Sequence, residues 1–432
     1  MELFGIIIIF LIIIIALAIR ENSKNKITHL PGVHNTGPQY LIEAGKSLGC
    51  RMNASGTYGT GTLDGVTFSL KAVVGQNEQL GTEVFINHTL PVRGLSNITK
   101  ENMLSRIKKD FGKDDVIIGD GFFDDKMLIK TQNPCGLAAL LNHDTRKRIQ
   151  RLYETSASFE ISNSWIRTSL RFNDNSKQAV IDLVKAAAAV SASLVRENDT
   201  RQMLTDNIFS DPEPGVRLNN LELLSSNFPS SPELLQVYED ALADPSLNVQ
   251  VAAASLLGEK GMGHLLELAK NGNPEKPLLL KIIRLLGEHR YLAGKDFLLD
   301  LFTRTGNREI KIAILRAFEG FASEELIPFL AGMLEETDPA VLAPAIAALG
   351  TCGNLDMMER LYTLYKNSLH PGIREEASRA MSKIQGRFGV ERGWLSMAEL
   401  AGTEGGLSLA DEAGEGSLSI TDEQEKGKEQ NR

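Results

Sequence analysis

Apolar and polar positions fall into four regimes along the chain. Residues 3–19 (LFGIIIIFLIIIIALAI) form an unbroken apolar run of 17 residues. As a helix it spans roughly 25 Å at about 1.5 Å per residue, the lower end of what crosses a bilayer core. Ile on every side leaves no polar face for a soluble helix, so Leu3, Ile9, Ile15 and Ile19 are expected to face lipid in one transmembrane helix. From 27 to 178 the period is two. Val66, Phe68, Leu70 and Ala72 share one face, and Ile166 to Phe172 alternates in the same way. Both predict half-buried strands. Glu83–Thr89, Val116–Ile118 and Met127–Lys130 are shorter strand candidates. Helices are expected at 102–111 and 135–153, the second broken near Asn142-His143-Asp144. The simplest architecture is an α+β domain with a mainly antiparallel sheet.

Beyond Thr200 the period becomes 3.6 and the pattern itself repeats. Six segments superimpose on an apolar residue that opens a second helix: Val216, Val249, Leu278, Ile310, Val341 and Ile373, spaced by 33, 29, 32, 31 and 32 residues. A turn precedes each anchor: Asp211-Pro212, Asp244-Pro245, Asn273-Pro274, Gly306-Asn307, Asp338-Pro339 and His370-Pro371. Proline cannot continue a helix and Asp or Asn caps the next one, so this punctuation has a physical cause. Each second helix then carries an Ala/Leu-rich stripe, as in Val249 to Gly258 and Val341 to Gly350. Such helix pairs cannot bury their stripes alone and must stack, which predicts an all-α solenoid of six pairs over 200–389.

Two connecting regions complete the organisation. Residues 179–199 include an apolar stretch, Ala179–Val195, interrupted by Asp182 and Lys185. A charge near the bilayer centre costs about 2.5–3.5 kcal/mol, so a connecting helix that caps the first repeat is favoured over a second span. Residues 390–432 form an acidic tail expected to be disordered. From Gly393 it holds nine Asp/Glu against three Lys/Arg, so most of the formal net charge of -9 lies there. A short echo recurs within it: Leu395-Ser396-Met397-Ala398-Glu399, Leu407-Ser408-Leu409-Ala410-Asp411 and Leu418-Ser419-Ile420-Thr421-Asp422. Apolar residues at i and i+2 suit addition to a partner's sheet edge, whereas a solvating tail is the simpler reading.

Composition narrows the function classes. With 42% hydrophobic and 23% charged residues the chain is globular, and an acidic balance argues against a nucleic-acid partner. Three cysteines, Cys50, Cys135 and Cys352, build neither a disulfide framework nor a metal knuckle. The flank at 1–26 is basic after the apolar run, with Arg20, Lys24 and Lys26 against Glu21. The positive-inside rule then places the remaining chain in the cytoplasm, with the extracytoplasmic (periplasmic) arrangement as the alternative.

Candidate chemistry is sparse. Gly56 to Gly61 is glycine-rich, but its GxxGxG spacing precedes a strand, whereas a phosphate cradle runs into a helix. A hairpin or loop fits it better. Asp120, Asp124 and Asp125 cluster as a weak candidate for a hard cation, without EF-hand spacing, and a tight turn between strands explains them more simply. His88 and His143 have no partner at metal-ligand spacing. No catalytic constellation appears and no cofactor is expected.

The repeats resemble the HEAT-repeat family, especially its short bacterial form, over about 200–388. A basic residue after the anchor, familiar in that family, is kept at Arg217, Lys311 and Arg374 alone. That departure leaves the class between HEAT and armadillo-like forms. Gly119 to Lys126, with Leu140-Leu141 and Arg146 to Leu152, is also similar to a segment of uncharacterised bacterial membrane-anchored proteins. The apolar anchor, the HEAT-like repeats and the missing catalytic constellation together point to a membrane-anchored scaffold or adaptor that binds protein partners rather than an enzyme. The alternatives are a ligand-sensing role for the α+β domain, or a lyase-type enzyme of similar repeats. A lyase would need groups such as His264, His289 and Cys352 to converge.

Overall fold

The computed structural model describes residues 37–74, 80–100, 116–170, 175–195 and 199–388. The apolar run at 3–19, the helix expected at 102–111 and the acidic tail lie outside the described residues. The chain divides into two compact units, Met1–Val237 and Tyr238–Arg432.

The first unit opens with α1 (Gln39–Ser47), β1 (Arg51–Met52), β2 (Tyr58–Leu63), β3 (Val66–Val74), β4 (Leu80–Asn87) and β5 (Leu95–Lys100). It continues through α2 (Gly121–Lys126), β6 (Met127–Thr131), α3 (Pro134–Leu140), α4 (His143–Thr155), β7 (Ser158–Ser162) and β8 (Trp165–Ser169). Three helices close it: α5 (Lys177–Leu194), α6 (Thr200–Ser210) and α7 (Pro214–Asn227). The eight strands form one sheet in the order β1-β2-β3-β4-β8-β7-β5-β6, antiparallel at every pairing. The period-two pattern is realised as one buried face. Val66, Phe68, Leu70, Val84, Ile86, Ile166, Phe159, Ile161, Met127 and Ile129 all point into the core. Each such side chain contributes roughly 1.5–3 kcal/mol when fully withdrawn from water.

The helix expected to cap the first repeat does something else. α5 lies against β3, β4 and β8, flanked by α1 and α4, and is the central covering helix of the sheet. Its Ala186, Ala187 and Ala188 are buried while Lys185 faces outward, so the two charges that argued against a membrane span mark its wet side. Among the described residues no helix is long and apolar enough to cross a membrane.

Two local readings are corrected. Val116–Ile118 is not a strand, although the Val116 amide donates to the Ile129 carbonyl, because the Ile118 and Gly119 amides turn away to the Asp124 carboxylate. Residues 121–126 form α2 rather than a turn between strands, since Asp120 caps the amides of Phe122 and Phe123. The break at Asn142 is real: α3 ends at Leu140, and Asn142 caps α4 through the Thr145 amide.

α8 (Pro232–Ala241) carries the boundary between the units. The second unit then runs through α9 (Leu247–Leu256), α10 (Met262–Asn271), α11 (Lys276–Glu288), α12 (Lys295–Arg304) and α13 (Arg308–Phe321). It ends in α14 (Ile327–Gly332), α15 (Pro339–Cys352), α16 (Met357–Asn367) and α17 (Pro371–Arg387). Helices therefore alternate with the expected rhythm, and α7, α9, α11, α13, α15 and α17 are the second helices. Each of the six anchors is the third residue of its helix. Val249, Ile310, Val341 and Ile373 are buried there, while Leu278 is half-buried.

Candidate functional site

In the second unit the second helices α11, α13, α15 and α17 pack side by side, each with its own first helix behind it. Small residues set the approach. A Cβ on Gly287 would stand 2.6 Å from Ala317 Cα, and one on Gly350 would stand 2.9 Å from Ala380 Cα. A Cβ on Gly320 would overlap the Gly287 carbonyl. The recurrent glycine after the Leu/Ala stripe is thus a contact point between neighbouring helices. Polar caps reinforce it: the Thr351 hydroxyl donates to the Glu319 carbonyl at 3.2 Å, and Arg387 reaches the Thr351 and Gly353 carbonyls. The last helix ends the stack with a wet face, its Glu375, Ser378, Arg379 and Ser382 exposed.

At three of the six anchors the next residue has a structural task that the sequence showed only in part. Arg217 donates to the Asp211 carbonyl and Arg374 to the Ser368 carbonyl, each 2.9 Å away and six residues back. Gln250 does the same to the Asp244 carbonyl at 2.6 Å. A donor at this place closes the turn between the two helices, so Gln250 substitutes for the basic residue. Lys311 instead lies over the Phe302 ring, 5.2 Å from its centre.

The outward face of the second helices carries charge. Six residues beyond the anchors stand Arg284, Arg316 and Arg379, all exposed, with half-buried Ala347 at the same place on α15. α15 has no charged residue and presents Ala343, Pro344 and Ala347 at this surface. Lys383 of α17 reaches over Gly350 to Glu319 of α13, at 2.9 Å. Exposed pairs also link successive repeats, Lys276 to Glu309 at 2.8 Å and Arg308 to Asp338 at 2.5 Å.

The aspartates weighed as cation ligands are occupied otherwise. In the first unit Arg146 is almost wholly buried. Its Nε donates to Asp120 at 2.7 Å, its two Nη atoms grip Asp211 at 2.7 and 2.8 Å, and Nη1 also donates to the Leu141 carbonyl at 2.9 Å. Four of the five guanidinium N–H groups are used. Burial works against its charge, yet hydrogen bonding and attraction from Asp211 and Asp120 outweigh this and raise its pKa above the ordinary arginine value. Asp124 accepts the Ile118 and Gly119 amides at 2.9 Å, and Asp125 pairs with Lys126 at 2.6 Å. Among the described residues no group of three or more His, Cys, Asp or Glu is placed to hold a metal.

This network clamps α6 and α7 to the sheet domain. Asn207 donates to the Ala139 carbonyl and to Asn220 Oδ1, both at 3.2 Å, while Asn220 donates to the Val216 carbonyl at 2.7 Å. Gly119, at φ +88°, sits directly against Gly215 at the start of α7, leaving no room for a side chain on either. The phrase beginning at Gly119 is thus a joint. Its partners Asp211 and Gly215 belong to the first repeat turn, which no local reading of either segment connects.

Other singled-out residues do not converge. Gly59 and Gly61 lie in β2, where a Cβ on Gly61 would come 2.8 Å from Phe68, so they make room on the inner face of the sheet. Asp64 and Gly65, both at positive φ, turn β2 into β3 as a two-residue hairpin. His88 is held by Ser191 at 2.7 Å and the Ser162 carbonyl at 3.2 Å, with its pKa lowered by burial despite that carbonyl. His143 heads α4, His264 bonds Gln250 at 2.8 Å, and His289 is exposed after α11. Burial raises all three thiols, Cys50 and Cys352 to about 11, the reverse of nucleophile activation.

Residues 295–382 match the family profile of HEAT repeats, which covers α12 to most of α17. Two solved engineered proteins are similar to the chain. One has 19% identity over 50% of this chain and 62% of its own, with a TM-score of 0.29. The other has 18% identity over 56% of this chain and 97% of its own, with a TM-score of 0.20. The chain thus spans about 62% of the length of the first. No curated protein matches. The segment 295–382 is HEAT-like, and repeats of this kind generally mediate protein interaction.

Proposed function

We propose that the chain is a membrane-anchored, non-enzymatic scaffold that docks a protein segment on the outward face of its second helices. The observation that carries this reading is the register of α11, α13, α15 and α17, in which Arg284, Arg316, Ala347 and Arg379 stand at equivalent places; α13, α15 and most of α17 lie in the HEAT-matched segment 295–382. The apolar run at 3–19 supplies the anchor, and the basic flank at Arg20, Lys24 and Lys26 sets the remaining chain in the cytoplasm. The Gly56–Gly61 stretch and the Asp120–Asp125 cluster, the features that would serve a ligand-sensing role, are used by the fold itself.

Proximity labelling with the full chain in its membrane is the test. The wild type should enrich a defined protein that is lost from the variant Arg284→Glu/Arg316→Glu/Arg379→Glu. An unchanged labelled set, or turnover of a small molecule by the purified chain, sinks the scaffold reading. A C-terminal reporter that fluoresces only in the cytoplasm tests orientation independently, and a dark reporter reverses it.

A further inference from the structure

The charges of the second unit are sorted by element. Helices α11, α13, α15 and α17 hold ten Lys/Arg against five Asp/Glu. Their companions α10, α12, α14 and α16 hold five against four. The connections between helices from 257 to 370 hold two against eight. An acidic ligand is therefore repelled by both loop edges and attracted by one face, that of the second helices. On this face Arg316 is exposed on α13, Arg284 and Arg379 flank it on α11 and α17 in exposed pairs with Glu288 and with Glu375 and Glu376 of their own helices, and uncharged Ala343, Pro344 and Ala347 of α15 lie between.

The chain carries a segment of complementary chemistry. Residues 393–425 contain eight Asp/Glu and no Lys or Arg. Within them three echoes, at 395–399, 407–411 and 418–422, each place apolar residues at i and i+2 and an acid at i+4. A repeated short motif suits a repeated surface. We infer that the tail segment 395–425 docks on the second-helix face of its own chain, its acids beside Arg284, Arg316 and Arg379 and its apolar residues over the α15 gap.

The reach is sufficient. Six residues lie between Phe388 and Leu395, a step that extends to at most about 25 Å. Neighbouring helices pack 8–10 Å apart, so the step from α17 to α11 is roughly 30 Å, and the echo spacings of 12 and 11 residues cover it with slack. So short a tether gives an effective concentration on the order of millimolar, enough for weak exposed ion pairs to matter together. This inference rests on the same face being a docking surface. It makes the tail the resting occupant that an outside partner must displace.

Zero-length carbodiimide coupling of the full chain in neutral detergent reads this directly, because it joins lysines only to carboxylates in contact. Links are expected within one molecule between Lys281 or Lys383 and acids of 399–425. They should fall about tenfold in Arg284→Glu/Arg316→Glu/Arg379→Glu, in a tail whose acids are replaced by amides, and in molar salt. Absence of such links, or links that persist in both variants, overturns the inference. Links found only between isotopically distinct molecules put a second copy on the face, and lysines shielded by anionic vesicles with the tail unlinked put a lipid surface there. Either outcome also overturns it. The readout needs no partner, so a failed tail leaves the scaffold reading to its own labelling experiment.

Discussion

The first helix pair and the later ones bury their inner faces with opposite chemistry. Around α6 and α7 the contact is polar and directional: Arg146, Asn207, Asp211, Arg217 and Asn220 are buried and hydrogen-bonded. Between α11, α13, α15 and α17 the contact is dry and made of small residues, Gly287, Ala317, Gly320, Gly350 and Ala380. A network of that kind fits one partner in one orientation, because every displaced donor becomes an unsatisfied buried group. A seam of glycine and alanine accepts any similar helix and can be tiled. The same Asp-Pro turn serves both regions. At Asp211, Asp244 and Asp338 the carboxylate accepts an amide of its own turn; Asp338 also meets the exposed Arg308, whereas Asp211 holds the buried guanidinium of Arg146.

The comparison breaks most visibly at Asp211. Asp211→Ala leaves the buried Arg146 charge with Asp120 alone, and removing one member of a buried pair typically costs about 3–5 kcal/mol. Denaturant unfolding should show that loss for the first unit. In an Arg146→Met background the same substitution should cost much less. Equal costs in both backgrounds would mean the two side chains are not coupled, and the clamp would lose its meaning.

The ladder is probed by adding volume rather than removing charge. Gly320→Val puts a side chain into the Gly287 carbonyl, and overpacking against backbone costs roughly 1–3 kcal/mol. Gly386→Ala near the end of α17 meets nothing within 4 Å and should stabilise by about 0.5–1 kcal/mol through helix propensity. If both substitutions moved the unfolding midpoint in the same direction, the glycines of the ladder would not be contact points.

These two regions were unequally legible in the sequence. The ladder was readable because its information is local and periodic: a turn, an apolar anchor at the third helical position and a small residue one helix later. Six copies expose such a pattern to simple alignment. The α3–α4 break was readable for the same reason, since Asn142 is both a stop and a cap. The clamp was not, because Asp120, Arg146 and Asp211 are separated by 26 and 65 residues and each has an ordinary local explanation. β5 and β7 were missed because Asn97 and Thr99, and Ser158 and Glu160, dilute short strands whose partners supply the rest of the face. The β2–β3 hairpin had a local signal in Asp64-Gly65, whose positive φ values make its two-residue turn.

A milder test concerns the donor that follows the anchors Val216, Val249 and Ile373. Gln250→Leu should destabilise by about 1 kcal/mol, the net worth of one hydrogen bond, while Gln250→Arg should not, because Arg217 and Arg374 make the equivalent bond. Thermal midpoints of the two variants would rank the same way. A Leu variant as stable as the Arg variant would reduce this device to coincidence.

The smallest effect separates surface pairing from the two buried solutions. Asp338 caps the Ala340 amide and faces Arg308, and the Arg308 hydrogen bond is the main cause that lowers its pKa. A carboxyl depressed by folding contributes stability above its unfolded pKa and loses it as pH falls through the folded value. Asp338→Asn keeps the cap and removes the charge. Stability curves of wild type and variant should therefore differ slightly at neutral pH and converge in acid, with the neutral gap closing as salt rises. A gap insensitive to salt and pH would mean that Asp338 acts through the cap geometry alone. Charge would then contribute to the first unit through the clamp and contribute almost nothing to the turn at Asp338.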